Sequence, residues 1–275
     1  KSIPSEFEYL SWPEVENIAK HKRSTVIWPF GAVEQHGPHL PLATDSIFIE
    51  EIVNEVLTLI PKDMPIKKIP TQFIGFSPEH SGFEGTITLS SSLLISMIIE
   101  IGKQISDIGF KRLILLNAHG GQISLLNTAA RELRVRSPHM AVLPCFLWKG
   151  VPSLDRYIPT EEIETGLHAG LAETSLMLSM DSELVGSDRP MDGQHNSPDS
   201  SATPPKGWSL EGASPCAWLT EDLSSSGVIG DASSSNSELG AALENALIDH
   251  WKSLFTSLLE SDWPPIMSES PISSS

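Results

Sequence analysis

The chain has 275 residues, with 18 lysines and arginines against 35 aspartates and glutamates, for a formal net charge of −17. That balance argues against a nucleic-acid surface or an anionic membrane as partner, while ordinary apolar content at this length allows a sizeable core. Two cysteines in apolar stretches, Cys145 and Cys216, make no disulfide framework, no apolar run is long enough to span a membrane, and KSIPSEFEYLSW at the start has no signal-peptide core, so the expected compartment is the cytoplasm.

STVIWPF, Ser24 to Phe30, is rich in β-branched and aromatic residues and predicts the first strand. It runs into GAVEQHGPHLPLATD, Gly31 to Asp45, and from Asp45 a wide apolar stripe (Ile47, Ile49, Ile52, Val53, Val56, Leu57) predicts a helix ending before Pro61. A short strand, Ile66 to Pro70, precedes the long loop IGFSPEHSGFEGTITLS, and a second helix is expected over Ser91 to Ile108. RLILLN, Arg112 to Asn117, is an almost continuous apolar run, as in a strand buried on both faces. It ends in AHGGQ, followed by a helical segment through Leu125, Ala129 and Leu133 and by a strand, Met140 to Phe146.

Strands alternating with helices indicate a mostly parallel central sheet in an α/β fold with three layers, α/β/α. HAGLAETSLMLSM reads as a further helix, and Glu238 to Leu259 as the last one. One domain over residues 1–260 is expected, with a tail at 261–275 expected to be disordered. Residues 187–237, dense in Ser, Pro, Gly and Asp, form either a surface linker or a long loop covering a site or an interface.

The loop after the first strand holds Glu34, His36, His39 and Asp45, residue types that zinc, manganese or iron prefer. His119 follows the central strand, and sites in open α/β sheets form beyond the carboxyl ends of strands. Each residue also has an ordinary explanation. Asp45 can be the N-cap of its helix, His36 a hydrogen-bonded loop histidine, and Gly120 and Gly121 the means of a tight strand-to-helix turn. Glu173, within an apolar helix, needs a partner if buried, either a metal or a basic side chain. His168 and Glu173 lie about 140° apart around an ideal helix, so they share a pocket only if His168 sits at the helix entrance.

GAVEQHGPHLPLATD, GFSPEHSGFEGTITLS, LLNAHGGQ and HAGLAETSLML, in this order, resemble the creatininase family, and SGVIGDA at Ser226 to Ala232 looks like a weaker further segment. The resemblance spans roughly Ser24 to Gly240. It implies an α/β/α fold, two divalent metal ions per chain (Zn, Mn or Fe), hydrolysis of non-peptide carbon–nitrogen bonds in small-molecule amides, and a homo-oligomer, often a hexamer. It implies Glu34, His36, Asp45, His119 and Glu173 as metal ligands, with Asp45 bridging and Glu173 also catalytic, and His168 as the proton-transfer residue. Ser77, Glu79, His80, Gly120 and Gly121 would border the substrate. Creatininase itself carries a tyrosine and a glutamate where this chain has Gly120 and Gly121, which removes a ligand carboxylate and an aromatic wall and makes creatinine a poor substrate.

Two metals would lower the pKa of a bridging water and polarise the amide carbonyl, and His168 would protonate the leaving nitrogen. The expected function is a metal-dependent amidohydrolase acting on an amide or formamide. The alternative is a catalytically silent metal-binding scaffold of the same fold.

Overall fold

The computed structural model describes residues 5–152, 154–193 and 203–264. Four strands, β1 (Thr25–Phe30), β2 (Ile66–Lys68), β3 (Arg112–Asn117) and β4 (Ala141–Phe146), form one parallel sheet in the order β2-β1-β3-β4. Side chains alternate between the faces of a strand, so Val26, Trp28 and Phe30 enter one core while Ile27 enters the other. β3 divides in the same way: Leu113 and Leu115 face one side, Ile114 and Leu116 the other.

One face is covered by α1 (Trp12–Ala19), α3 (Ser91–Ile108) and α4 (Ile123–Arg136). The other carries α2 (Thr44–Thr58) and, beyond the short helices α5 (Leu154–Tyr157) and α6 (Thr160–Thr165), α7 (Leu171–Met180) and the last helix. This is the expected three-layer α/β/α architecture. The strands and the helix at Ser91–Ile108 agree with their sequence-predicted ranges to within two residues.

Residues 187–237 are described except for 194–202. They form a two-stranded antiparallel ribbon, β5 (Met191–Asp192) with β6 (Gly230–Asp231), and the one-turn α8 (Thr220–Leu223). The last helix, α9 (Ser237–Glu260), is capped by the Asn236 side chain, which accepts from Leu239 N at 2.9 Å. A Cβ on Gly240 would lie 1.8 Å from Ser175 O, so glycine lets α9 approach α7 closely and fixes the helix that bears Glu173. Buried Arg112 donates to the carbonyls of Leu258, Ser261 and Trp263 and ties down the end of α9. Of the expected tail, 261–264 are held there and 265–275 lie outside the described residues. Cys145 is half-buried, but Cys216 is exposed rather than in apolar surroundings.

After β1 the chain moves to one neighbour, β2, and then crosses to the other side for β3. The crevice beyond the carboxyl ends of β1 and β3 is therefore a topological switch point, where open α/β sheets bind ligands.

Candidate metal centre and active site

The loop leaving β1 and the loop leaving β3 bring Glu34, His36, Asp45 and His119 together in this crevice, and all four are at least 96% buried. α7 supplies Glu173, and His168 stands just before it, paired to Ile229 by a β-bridge. His168 thus occupies the helix entrance that a shared pocket requires.

Three groups have ligand atoms within 4.8 Å of one another: Glu34, Asp45 and His119; His36, Asp45 and Glu173; and Glu34, His36 and His168. Asp45 belongs to the first two, as a bridging carboxylate would. Both carboxylate oxygens of Glu34, Nε2 of His36 and Oδ2 of Asp45 are buried without a hydrogen-bond partner among the described residues. Burying polar atoms unpaired is costly, and a cation relieves that cost for carboxylate and imidazole together, so this donor set fits divalent metal.

Asp45 is not the N-cap. That position belongs to Ala43, and Asp45 lies in the first turn of α2 with its carboxylate turned to His36 (3.7 Å) and His119 (3.3 Å). The positive end of the helix dipole still favours it there.

The charges perturb one another strongly. Burial alone would lower His36, but Asp45 outweighs it and raises His36 to about 9. Burial would raise Asp45, yet His119 and His36 draw it below the ordinary carboxylate range. Burial lifts Glu173 to about 7 against the pull of His36, and its Oε2 accepts from Ala169 N at 2.6 Å. Burial, reinforced by His80 and His36, holds His168 well below the usual histidine value, so its free form is the neutral one. His119 is raised well above it, because Glu34, Asp45 and Glu79 together outweigh burial.

Glu79 and His80, on a short 3₁₀ turn (Pro78–His80), also reach the centre. Glu79 Oε1 lies 3.2 Å from His119 Nε2. Gly120 and Gly121 lie in the 3₁₀ turn that joins β3 to α4, but neither has a left-handed backbone, so the turn does not itself require glycine. A Cβ at Gly121 would fall 1.8 Å from Glu79 Oε1 and 2.6 Å from His119 Nε2, whereas a Cβ at Gly120 meets nothing within 4 Å. Gly121 makes room for the carboxylate that orients His119. Ser77 is buried with its hydroxyl unpartnered among the described residues and does not line the cavity.

The centre opens into a cavity of about 430 Å³ walled by Phe146, Trp148, Leu154, Ile158 and Trp218, with Glu162 and Glu211 also lining it. Aromatic surface is therefore present without a side chain at position 120, contrary to the sequence expectation. No lysine or arginine lines the cavity among the described residues.

Sequence reasoning passed over several supports. Gln122 donates to Gly31 O (3.0 Å) and Asn117 Oδ1 (2.9 Å) and accepts from Phe76 N (3.0 Å), joining three loops. Glu162 caps α7 by accepting from Leu171 N at 2.8 Å and also takes Asp231 N. Gln35, between two ligand-type residues, and Thr220, on α8, both contact His80 Nδ1. Only Gln35 had a local signal, its place inside EQH.

The creatininase family profile, described as creatinine amidohydrolase, matches residues 8–255. The chain belongs to the creatininase family. It is 32% identical over 165 residues to a mycofactocin precursor peptide peptidase of Mycolicibacterium smegmatis, an alignment covering 59% of this chain and 60% of the relative. It is 28% identical over 200 residues to creatinine amidohydrolase of Pseudomonas putida, covering 66% and 74%. A solved structure described as creatininase Mn shares the fold with a TM-score of 0.72 at 21% identity, covering 96% of this chain and 100% of its own. The chain thus spans about 60% of the length of the peptidase it matches. No helix among the described residues is long and apolar enough to cross a membrane.

Proposed function

We propose that this creatininase-family chain is a metal-dependent amidohydrolase that cleaves an amide or formamide bond of a small molecule. One observation carries the reading: buried oxygens of Glu34 and Asp45 and a ring nitrogen of His36 converge without hydrogen-bond partners among the described residues. Glu34, Asp45 and His119 would hold one divalent ion and His36, Asp45 and Glu173 a second. Glu173 then replaces the carboxylate that creatininase carries after its histidine. When bound, such ions acidify water and polarise a carbonyl.

The remaining chemistry belongs to the chain. His168 donates Nε2–H to Gln35 O at 2.7 Å, which leaves the Nδ1 lone pair facing the centre, 3.9 Å from Glu34 Oε1. A neutral imidazole so oriented accepts a proton from the attacking water as the C–O bond forms. It returns that proton to the amide nitrogen as the C–N bond breaks, giving a carboxylic acid and an amine.

The aromatic and aliphatic wall suits an apolar body, and the acidic lining selects against anions, so a neutral or cationic amide fits best. The cytoplasmic location and the homo-oligomer, often a hexamer in the family, belong to the same proposal. The test is a panel of formamides, acyclic amides, short peptides and creatinine after reconstitution with Mn, Zn or Fe. Turnover of an amide or formamide that chelation abolishes, with negligible creatinine hydrolysis, is the expected result. Bound metal without turnover of any compound would instead mark a silent scaffold, and no specific metal would overturn the reading altogether.

A further inference from the structure

Four histidine rings face Glu34 Oε1: His119 through Nδ1 at 3.1 Å, His80 through Nε2 at 3.4 Å, His168 through Nδ1 at 3.9 Å and His36 through Nε2 at 4.0 Å. A neutral imidazole has one N–H and one lone pair, so the partner of its outer nitrogen determines what the inner nitrogen offers. In three rings the outer nitrogen meets a backbone carbonyl, which can only accept. These carbonyls are Glu34 O for His36 (3.2 Å), Phe76 O for His119 (3.1 Å) and Gln35 O for His168 (2.7 Å). In the neutral form all three therefore turn a lone pair inward, as ligands or bases must.

His80 is the opposite case. Gly37 N donates to Gln35 Oε1 at 2.9 Å, and Gln35 Nε2 donates to Gly227 O at 3.1 Å. Both backbone groups have fixed roles, so the amide cannot be flipped. Its nitrogen also lies 3.0 Å from His80 Nδ1, and an amide nitrogen cannot accept. The Thr220 hydroxyl, 2.7 Å from Nδ1 and 3.0 Å from Glu79 O, can donate to either and opposes neither arrangement. Nδ1 is the acceptor, and Nε2–H points inward. A fourth lone pair facing Glu34 would be repelled; an N–H is attracted.

We infer that His80 is the N–H donor of this centre and serves the substrate oxygen as negative charge develops on it. His80 stacks on His168 with ring centroids 4.1 Å apart, which sets the donor beside the base in the same cavity. Preorganised donors of this kind act where charge develops, not on the ground state. The loop-rich segment takes part, because Thr220 and Gly227 O both belong to it. The substrate role rests on the hydrolase reading above; the tautomer does not.

Long-range ¹H–¹⁵N correlation spectra of histidine-labelled protein, metal-free and Zn-reconstituted, read the tautomer without any assay. His80 is expected to show a protonated Nε2 and a lone-pair Nδ1 in both; a protonated Nδ1 or a metal-bound Nε2 overturns the inference. In kinetics, His80→Leu should lower kcat by roughly 10²–10³-fold with KM and metal content little changed. His80→Gln, which keeps an N–H donor, should recover at least a tenfold part of that loss. Equal loss in both variants with unchanged metal overturns the donor role. Formate binding to the Zn-reconstituted protein covers the case in which no amide is turned over. Tighter binding by wild type and His80→Gln than by His80→Leu, about tenfold, supports the donor, and equal binding refutes it.

Discussion

Gly121→Ala should damage metal binding although it adds a single methyl group to an unstrained backbone. The new Cβ would lie 1.8 Å from Glu79 Oε1 and 2.6 Å from His119 Nε2, so Glu79 must swing away or the ring must shift. Either movement breaks the 3.2 Å contact that orients the ring, and a ring shift also strains its 3.1 Å bond to Phe76 O. A net hydrogen bond involving a charged group is worth about 1.5–3 kcal/mol, which at ~1.4 kcal/mol per decade is ~10–100-fold in affinity. Loss of an outer partner of a metal-bound histidine costs about the same, ~10–100-fold. Competition against a chelator measures it, with Gly120→Ala as the matched control, because a Cβ there meets nothing within 4 Å. Gly120→Ala should bind metal as wild type does and stabilise the fold slightly, by at most about 1 kcal/mol, through unfolded-state entropy. If the two variants bind metal equally, Glu79 does not hold His119 and the account of Gly121 is wrong.

Asp45→Asn keeps the side chain's shape but removes the bridging charge, so both ions should be lost; elemental analysis showing two retained ions would refute the bridge. His168→Ala should lower kcat by about 10²–10⁴-fold with metal content near wild type, whereas loss of metal would put His168 in the coordination sphere, as its group with Glu34 and His36 allows. His36, raised to about 9 in the metal-free protein, is protonated at pH 7 and must lose that proton to bind metal. Binding at pH 7 should therefore release at least one proton, read with an indicator dye in weak buffer, and apparent affinity should rise from pH 7 toward pH 9.

The four strands of the sheet and the long helices were legible because their signals are local, whereas α1, the short helices α5, α6 and α8 and the β5–β6 ribbon were not expected. RLILLN is apolar throughout since both faces of β3 are covered, and the stripe of α3 repeats over eighteen residues. Glu34, His36, Asp45 and His119 were legible for a related reason: they follow the ends of β1 and β3, and chemistry concentrates at that edge of a parallel sheet, whereas Glu173 comes from α7. Local rules failed where a distant contact decides the outcome. An aspartate at a helix start suggests a cap, but Asp45 is claimed by His119, which arrives on another strand. A glycine pair after a strand suggests a turn, but Gly121 answers to Glu79, forty-two positions earlier.

The loop-rich segment is the harder case, and its difficulty has a physical origin. Composition finds buried segments through apolar area, and residues 203–237 have little of it. They reach the centre by other means. Gly227 contributes a backbone carbonyl, Thr220 a small hydroxyl, and Trp218 and Glu211 single walls of the cavity. A carbonyl is present at every residue and carries no sequence signal, and one threonine among many serines is invisible to periodicity. Yet Gly227 O, with Gly37 N, fixes the Gln35 amide, and that amide determines which nitrogen His80 presents. Replacing Thr220 with Val isolates the hydroxyl: it removes the hydroxyl beside Nδ1 while leaving Gln35 in place. If Gln35 alone sets the tautomer, His80 Nε2 should stay protonated in the variant; a shift to Nδ1–H would move that control from the EQH loop to α8.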